Sequence, residues 1–213
     1  MDNRERIDTL ERERILPRAE LEELLQTYTD GDRLYAASKA RAVADAIFGK
    51  KVYFRGIVEI SSYCKNDCLY CGIRRSNRSA QRYRLTEDEI LDCCARGYTL
   101  GYRTFVLQGG EDPWYTDDRI VSIIQRIRRD FPDCAITLSL GEKESESYQR
   151  YFDAGADRYL LRHETASPSH YAKLHPPELS WEHRMQCLRD LREIGFQTGC
   201  GCMVGAPYQT AAD

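Results

Sequence analysis

From Val52 onward the sequence alternates between short apolar runs and longer amphipathic ones, and this alternation limits the fold more than any other feature. Five runs read as strands, at residues 52–61, 104–108, 135–140, 157–161 and 196–204. Stretches with helical periodicity lie between them. One runs from Thr86 to about Tyr98, and others span 117–129, 143–154, 167–173 and 181–194, with Ser180 as the N-cap of the last. Thr86 and Glu89 have capping-box spacing, so each satisfies the other's backbone donor. Strands joined by helices predict parallel crossovers, in a doubly wound sheet or a (β/α) barrel.

Side-chain alternation separates the two. Strands of an open doubly wound sheet are apolar on both faces. Here one face holds Val58, Phe105, Leu107, Ile136, Leu138, Tyr159 and Leu161. The other carries Arg55, Ile57, Glu59 and Ser61 on the first strand, then Thr104, Val106 and Gln108, then Thr137 and Ser139. Arg158, Leu160, Arg162 and Glu164 continue it on the fourth. Polar residues collecting at strand C-termini are where barrels build their sites. The expectation is an α/β fold, a partial (β/α) TIM-type barrel with a polar lumen. Residues 51–213 form it, truncated after about the fifth strand because the chain stops at Asp213. The outer edge of that strand is expected to be unpaired, with apolar surface beside it.

Residues 1–50 read as an N-terminal helical extension. Pro17 suits a first helical turn, and Leu21, Leu24 and Leu25 form an apolar stripe. An Ala-rich helix follows from about Asp32 to Phe48, closed by Gly49. This segment carries no recognisable chemistry.

The first strand runs directly into S-S-Y-C-K-N-D-C-L-Y-C-G-I-R-R-S, residues 61–76. Cys64, Cys68 and Cys71 stand there in C-x3-C-x2-C spacing. Three thiolates this close can hold three irons of a 4Fe-4S cubane, leaving the fourth iron open to an outside ligand. A structural zinc knuckle or a disulfide pair are the alternatives, but zinc sites favour paired C-x2-C halves or nearby histidines, and neither occurs here.

Net charge is −3 with a pI near 5.9, which points away from nucleic acid and anionic membranes as partners. No apolar run approaches the ~20 residues of a membrane span. The first residues, M-D-N-R-E-R-I, are too charged for a secretory signal. Nine cysteines without an export signal suggest a reducing, cytoplasmic setting. Cys93, Cys94, Cys134 and Cys187 fall in apolar patterns and are expected to be buried.

Four segments together resemble a known family: the cysteine loop extended to Asn77, then V-L-Q-G-G-E-D-P-W-Y, A-D-R-Y-L-L-R-H-E-T-A and G-C-G-C-M-V-G-A-P-Y-Q-T. They resemble the radical S-adenosylmethionine (SAM) enzymes of the biotin-synthase-like group, and within it the HydE-type maturases of FeFe-hydrogenase. Methylornithine synthase is the nearest competitor, and a non-catalytic iron–sulfur-binding fragment is the alternative of another class. Tyr208 departs from the family, standing where glycine is usual.

The resemblance implies a 4Fe-4S cluster on Cys64, Cys68 and Cys71, with SAM chelating the open iron. Reductive cleavage of SAM to a 5′-deoxyadenosyl radical would serve assembly of the hydrogenase diiron subcluster. Tyr70 would pack by the adenine, which Met203 and Val204 would also contact. Gly109 and Gly110 would let the backbone approach the methionine amino group. Glu164 would meet SAM polar groups, and Ser139 its ribose or carboxylate. Arg184 would pair with the carboxylate, unless it is a solvated helix arginine. His163, next to Glu164, reads as a core histidine facing the helices. The implied substrate is an iron carbonyl–cyanide complex carrying cysteine, with Arg55, Gln108, Thr137 and Arg158 as pocket candidates; hydrogenase maturation proteins are the implied partners.

Overall fold

The computed structural model describes residues 1–213. They form two compact units, Met1–Tyr53 with Gln209–Asp213, and Phe54–Tyr208. The first contains α1 (Asn3–Glu13), α2 (Arg18–Thr27) and α3 (Asp30–Phe48). Capping boxes at Asp2 and Thr29 start α1 and α3, and Gly49 closes α3 with a positive φ of 62°. Polar contacts join these helices: Arg6 Nε meets Glu20 Oε2 at 2.6 Å, and Lys39 Nζ lies 3.0 Å from Asp8 Oδ1 and 2.9 Å from Glu11 Oε2.

The second unit is a partial (β/α) barrel. Its elements are β1 (Gly56–Ser61), α4 (Glu87–Thr99), β2 (Thr104–Gly109), α5 (Asp117–Asp130), β3 (Ala135–Ser139), α6 (Ser145–Asp153), β4 (Arg158–Leu160), α7 (Pro168–Leu174), α8 (Trp181–Ile194) and β5 (Gln197–Gly199). The strands form one parallel sheet in the order β1-β2-β3-β4-β5, each new strand beside its predecessor, as a barrel wall requires. On α5 the stripe Ile120, Ile123, Ile124 and Ile127 is buried against the sheet. The strand face holding Val58, Phe105, Leu107, Ile136, Leu138, Tyr159 and Leu161 meets the helices in one hydrophobic core. Burial of each such side chain stabilises the fold by about 1.5–3 kcal/mol.

Registers arrange the opposite face into rungs. Ile57, Val106, Thr137, Arg158 and Gln197 form one rung; Glu59, Gln108, Ser139, Leu160 and Gly199 form the next, two residues nearer the strand C-termini. The outer strands are shorter than periodicity predicts. Val52, Tyr53 and Phe54 are exposed, because β1 finds its partner only from Gly56, opposite Phe105. Beyond Gly199, only a parallel bridge between Glu164 and Cys202 continues the pairing, since Gly199 and Gly201 weaken a regular strand there. β5 pairs only with β4, but the residues of its edge are Gln197, Thr198 and Gly199, so the edge is polar rather than apolar.

Two side-chain expectations are corrected. Cys94, Cys134 and Cys187 are buried, whereas Cys93 is exposed, because its neighbour Cys94 takes the buried face of α4. His163 is half-buried rather than part of the core. No helix is long and apolar enough to cross a membrane.

Candidate functional site

β1 ends in Ser61, whose Oγ donates to Asp112 Oδ2 at 2.6 Å. Arg84 grips the same carboxylate with Nε at 2.6 Å and Nη2 at 2.9 Å while stacking 3.9 Å over the Tyr63 ring. Burial alone would raise the pKa of Asp112, but the Arg84 and Ser61 hydrogen bonds outweigh it and hold the carboxyl below its usual range. The start of the cysteine loop is thereby tied to the turn after β2.

That turn requires glycine. A Cβ on Gly110 would lie 2.2 Å from Tyr63 O and 2.8 Å from Cys64 Cβ, so the two segments approach as only glycine permits. The far side of the loop is fastened to the end of α7. Leu69 N donates to Leu174 O at 3.0 Å, and the Tyr70 hydroxyl lies 3.1 Å from His175 Nε2. His175 Nδ1 faces the Tyr171 carbonyl at 3.0 Å, so Nδ1 carries the proton and Nε2 accepts from Tyr70. Burial lowers the His175 pKa to about 4, keeping this acceptor neutral. Arg82, behind the loop, donates to four of its carbonyls, at Ser62, Ile73, Arg74 and Asn77.

The loop borders a cleft of about 590 Å³ at the C-terminal ends of the strands. Cys64, Cys68, Tyr70, Cys71, Gly109, Gly110, Ser139, Glu164 and Arg184 all line it. Burial raises the Cys64 thiol pKa, and burial with the neighbouring Cys64 raises that of Cys68 to about 11. Iron would therefore displace protons on binding these thiols. Three thiols on one loop suit a cubane, which presents a separate iron to each thiolate.

Two carboxylates stand on the wall. Glu164 is 5% exposed and has a left-handed backbone, φ 67°, which is uncommon outside glycine. Its Oε2 is buried without a hydrogen bond, and Arg162 Nε is 3.6 Å from Oε1. Burial raises its pKa, against the pull of Arg162 and Arg184. Glu111 Oε1 accepts from the Glu142 amide at 3.0 Å, and its buried Oε2 is ion-paired with the Lys65 ammonium 3.3 Å away. Gly141 makes room for Glu111, for a Cβ there would lie 2.1 Å from Glu111 Cγ.

Arg184 is buried, not solvated. Its Nε donates to Glu142 Oε1 at 2.5 Å and its Nη1 to Arg162 O at 3.1 Å. The Glu142 carboxylate keeps it charged despite burial.

Of the four substrate candidates, only Gln108 lines the cleft, with Nε2 3.4 Å from Glu59 Oε1. Thr137 and Arg158 are on the correct face but one rung too deep. Arg158 turns away from the cysteines, bonding Gln197 Oε1 at 2.7 Å and Thr104 Oγ1 at 3.5 Å. Arg55 precedes β1 and is exposed. Met203 and Val204 also lie outside the lining: the Met203 amide bonds Glu164 O, and Val204 is 94% exposed. Both follow the point where β5 loses regular pairing. Glu59 and Arg162, on the lumen face in sequence but without a role there, line the cleft, as do Asn66 and Glu111, which sequence did not single out. The proximity of Glu111 to Gly109-Gly110 was the available signal.

A family model, the radical SAM superfamily, matches residues 58–213, the part of the chain that builds this cleft. The chain belongs to the radical SAM superfamily. Among radical SAM relatives, it is 43% identical over its whole length to the [FeFe] hydrogenase maturase subunit HydE of Thermotoga maritima, covering 60% of that protein. It is 31% identical over 82% of its length to 3-methylornithine synthase of Methanosarcina barkeri, covering 49% of it. The crystal structure of methylornithine synthase PylB superposes with a TM-score of 0.83 at 28% identity, over 94% of this chain and 59% of that one. HydG, a maturase of the [FeFe]-hydrogenase, shares the fold at TM-score 0.85 and 24% identity, over 99% of this chain and 48% of its own. The chain thus spans about half to three-fifths of these radical SAM proteins. Tyr208 has a positive φ of 65°, a left-handed conformation uncommon outside glycine.

Proposed function

We propose that the cleft binds a 4Fe-4S cluster on Cys64, Cys68 and Cys71 with SAM beside it, as part of a HydE-type maturase. Glu164 carries the reading: a buried carboxylate, strained at its backbone, keeps one oxygen unpartnered on the wall of a cleft that also holds three thiols. That oxygen favours a cationic ligand with N–H and O–H donors, which SAM is. When bound, cluster and SAM supply one-electron reductive cleavage of a carbon–sulfur bond, giving methionine and a 5′-deoxyadenosyl radical.

The chain's own residues do the holding. The three cysteines ligate iron, while the Asp112–Arg84 pair and the Gly110 contact fix where the loop stands. Glu111, reached past Gly110, accepts from the methionine ammonium, and Glu164 from ammonium or ribose. Ser139 and Gln108 offer neutral hydrogen bonds deeper in the cleft. Arg184 first holds Glu142 in place, and its remaining N–H groups can meet the SAM carboxylate. Tyr70, fixed by His175, offers a flat surface to adenine. The proposed substrate is an iron carbonyl–cyanide complex carrying cysteine, processed with other hydrogenase maturation proteins, a reading that similarity to HydE supports. The assignment of residues 1–50 as a helical extension to a barrel beginning at residue 51 belongs to the same proposal.

Anaerobic reconstitution with iron and sulfide, then SAM and dithionite, tests this through formation of 5′-deoxyadenosine. Cys64→Ser, Cys68→Ser or Cys71→Ser should abolish both the brown chromophore and SAM cleavage. A normal reducible cluster in Cys68→Ser would remove the site assignment.

A further inference from the structure

We propose that Arg82 is the positioning residue of the cysteine loop, holding it closed and setting a fixed positive charge on the carbonyls at its two ends. This deepens the function proposed above and rests on its reading of the three cysteines.

The geometry is that of a clasp. Nη1 donates to the carbonyls of Ser62 and Ile73, and Nη2 to those of Arg74 at 2.7 Å and Asn77 at 3.2 Å. Ser62 precedes the first cysteine and the other three follow the last, so one guanidinium joins both ends of the loop. Closing such a loop costs conformational entropy, and a planar fork meets four carbonyls with little further ordering. Lysine carries the same charge on a single nitrogen and cannot span these acceptors.

The charge is also unusual. Arg84, two residues on, is neutralised by Asp112, whereas Arg82 is half-buried and spends its donors on neutral carbonyls, with no carboxylate in ion-pair range. A cation held on the carbonyls at both ends of the loop stabilises negative charge within it. Reduction adds one electron to a thiolate-bound cluster, so a cation there favours the reduced state.

Hydrogen exchange of the metal-free protein tests the clasp. The amides of Leu69 and Arg75 donate to Leu174 O and Asn66 O, bonds that persist only while the loop is closed. They should exchange slowly in the unmutated protein and at least tenfold faster in Arg82→Lys, with β2 amides unchanged. Rapid exchange at both amides in the unmutated protein, or equal protection in Arg82→Lys, overturns the positioning role. If Arg82→Lys loses β2 protection as well, the unmutated rates alone decide.

Redox titration of reconstituted protein, followed by EPR, tests the charge. Arg82→Gln should move the cluster midpoint to more negative potential, while Arg82→Lys stays near the unmutated value. An unchanged potential in Arg82→Gln overturns that half. Failure of the unmutated protein to take up a cluster would defeat the proposed function and with it the charge role, while metal-free exchange still decides the clasp.

Discussion

Replacing Glu164 with glutamine should make the ligand-free protein more stable and SAM binding weaker. Glu164 is 5% exposed, its Oε2 has no hydrogen bond, and its nearest cation stands 3.6 Å from the other oxygen. An unsatisfied buried polar group costs about 1–3 kcal/mol, and more when charged. Glutamine keeps the shape but removes the charge, so a gain of about 1–2 kcal/mol is expected, allowing for the amide's own unmet bonds. For a chain of this size that raises Tm by about 2–8 °C. The sign depends on pH. Burial raises the folded-state pKa of Glu164 above its ordinary 4.5, so the penalty is full above the folded value and vanishes as pH falls to about 4.5. The Tm gap should therefore be widest at pH 8 and close by about pH 4.5. Losing a charge-assisted hydrogen bond should weaken SAM by about 1.5–3 kcal/mol, roughly 10- to 150-fold. Thermal melts across pH and SAM titration of the reconstituted protein measure both. A variant that melts lower at pH 8 and binds SAM unchanged would refute the reasoning, because the unpartnered oxygen would then serve the fold rather than a ligand.

Arg184→Lys should destabilise the protein by about 2–4 kcal/mol, since the buried Glu142 loses its close partner and Arg162 O its donor; denaturant melts measure this. Stability should fall by about 3 kcal/mol between pH 6.5 and 4, as the unfolded chain takes a proton that folded His175 resists, and His175→Phe should flatten that slope. Gly110→Ala should still fold but hold less iron after reconstitution, because the new methyl group collides with Tyr63 O and Cys64 Cβ.

Strand alternation was sufficient to assign the helix-facing residues Val58, Phe105, Leu107, Ile136, Leu138, Tyr159 and Leu161, all of which are in the core. It also identified the lumen face, but a period of two carries no depth. Thr137 and Ser139 look equivalent in sequence, and only inter-strand register places one on the cleft and the other beneath it. The cysteines, the glycine pair and Glu164 were legible because each sits in a short local pattern at a strand end. Arg82 was not, because its partners are backbone carbonyls, which any residue supplies. The solvated alternative for Arg184 stayed open in sequence because Glu142, its partner, lies 42 positions away across another strand. Met203 and Val204 lie outside the cleft lining for a local reason: glycines at 199 and 201 end the regular strand before it reaches them.

The rung occupied by Ile57, Val106, Thr137 and Arg158 forms a floor, and a floor made of strand positions has a consequence for how such a chamber can change size. Successive rungs on one face are two residues apart, about 6.6 Å along the strand. Trimming side chains in the floor therefore opens space in a single large step, not by gradual enlargement. Arg158 latches that step, since its guanidinium spans from β4 to Thr104 on β2 and to Gln197 on β5. Shortening this side chain would release both bonds and free the part of the layer that it spans. Chambers built on such walls differ in depth by discrete storeys.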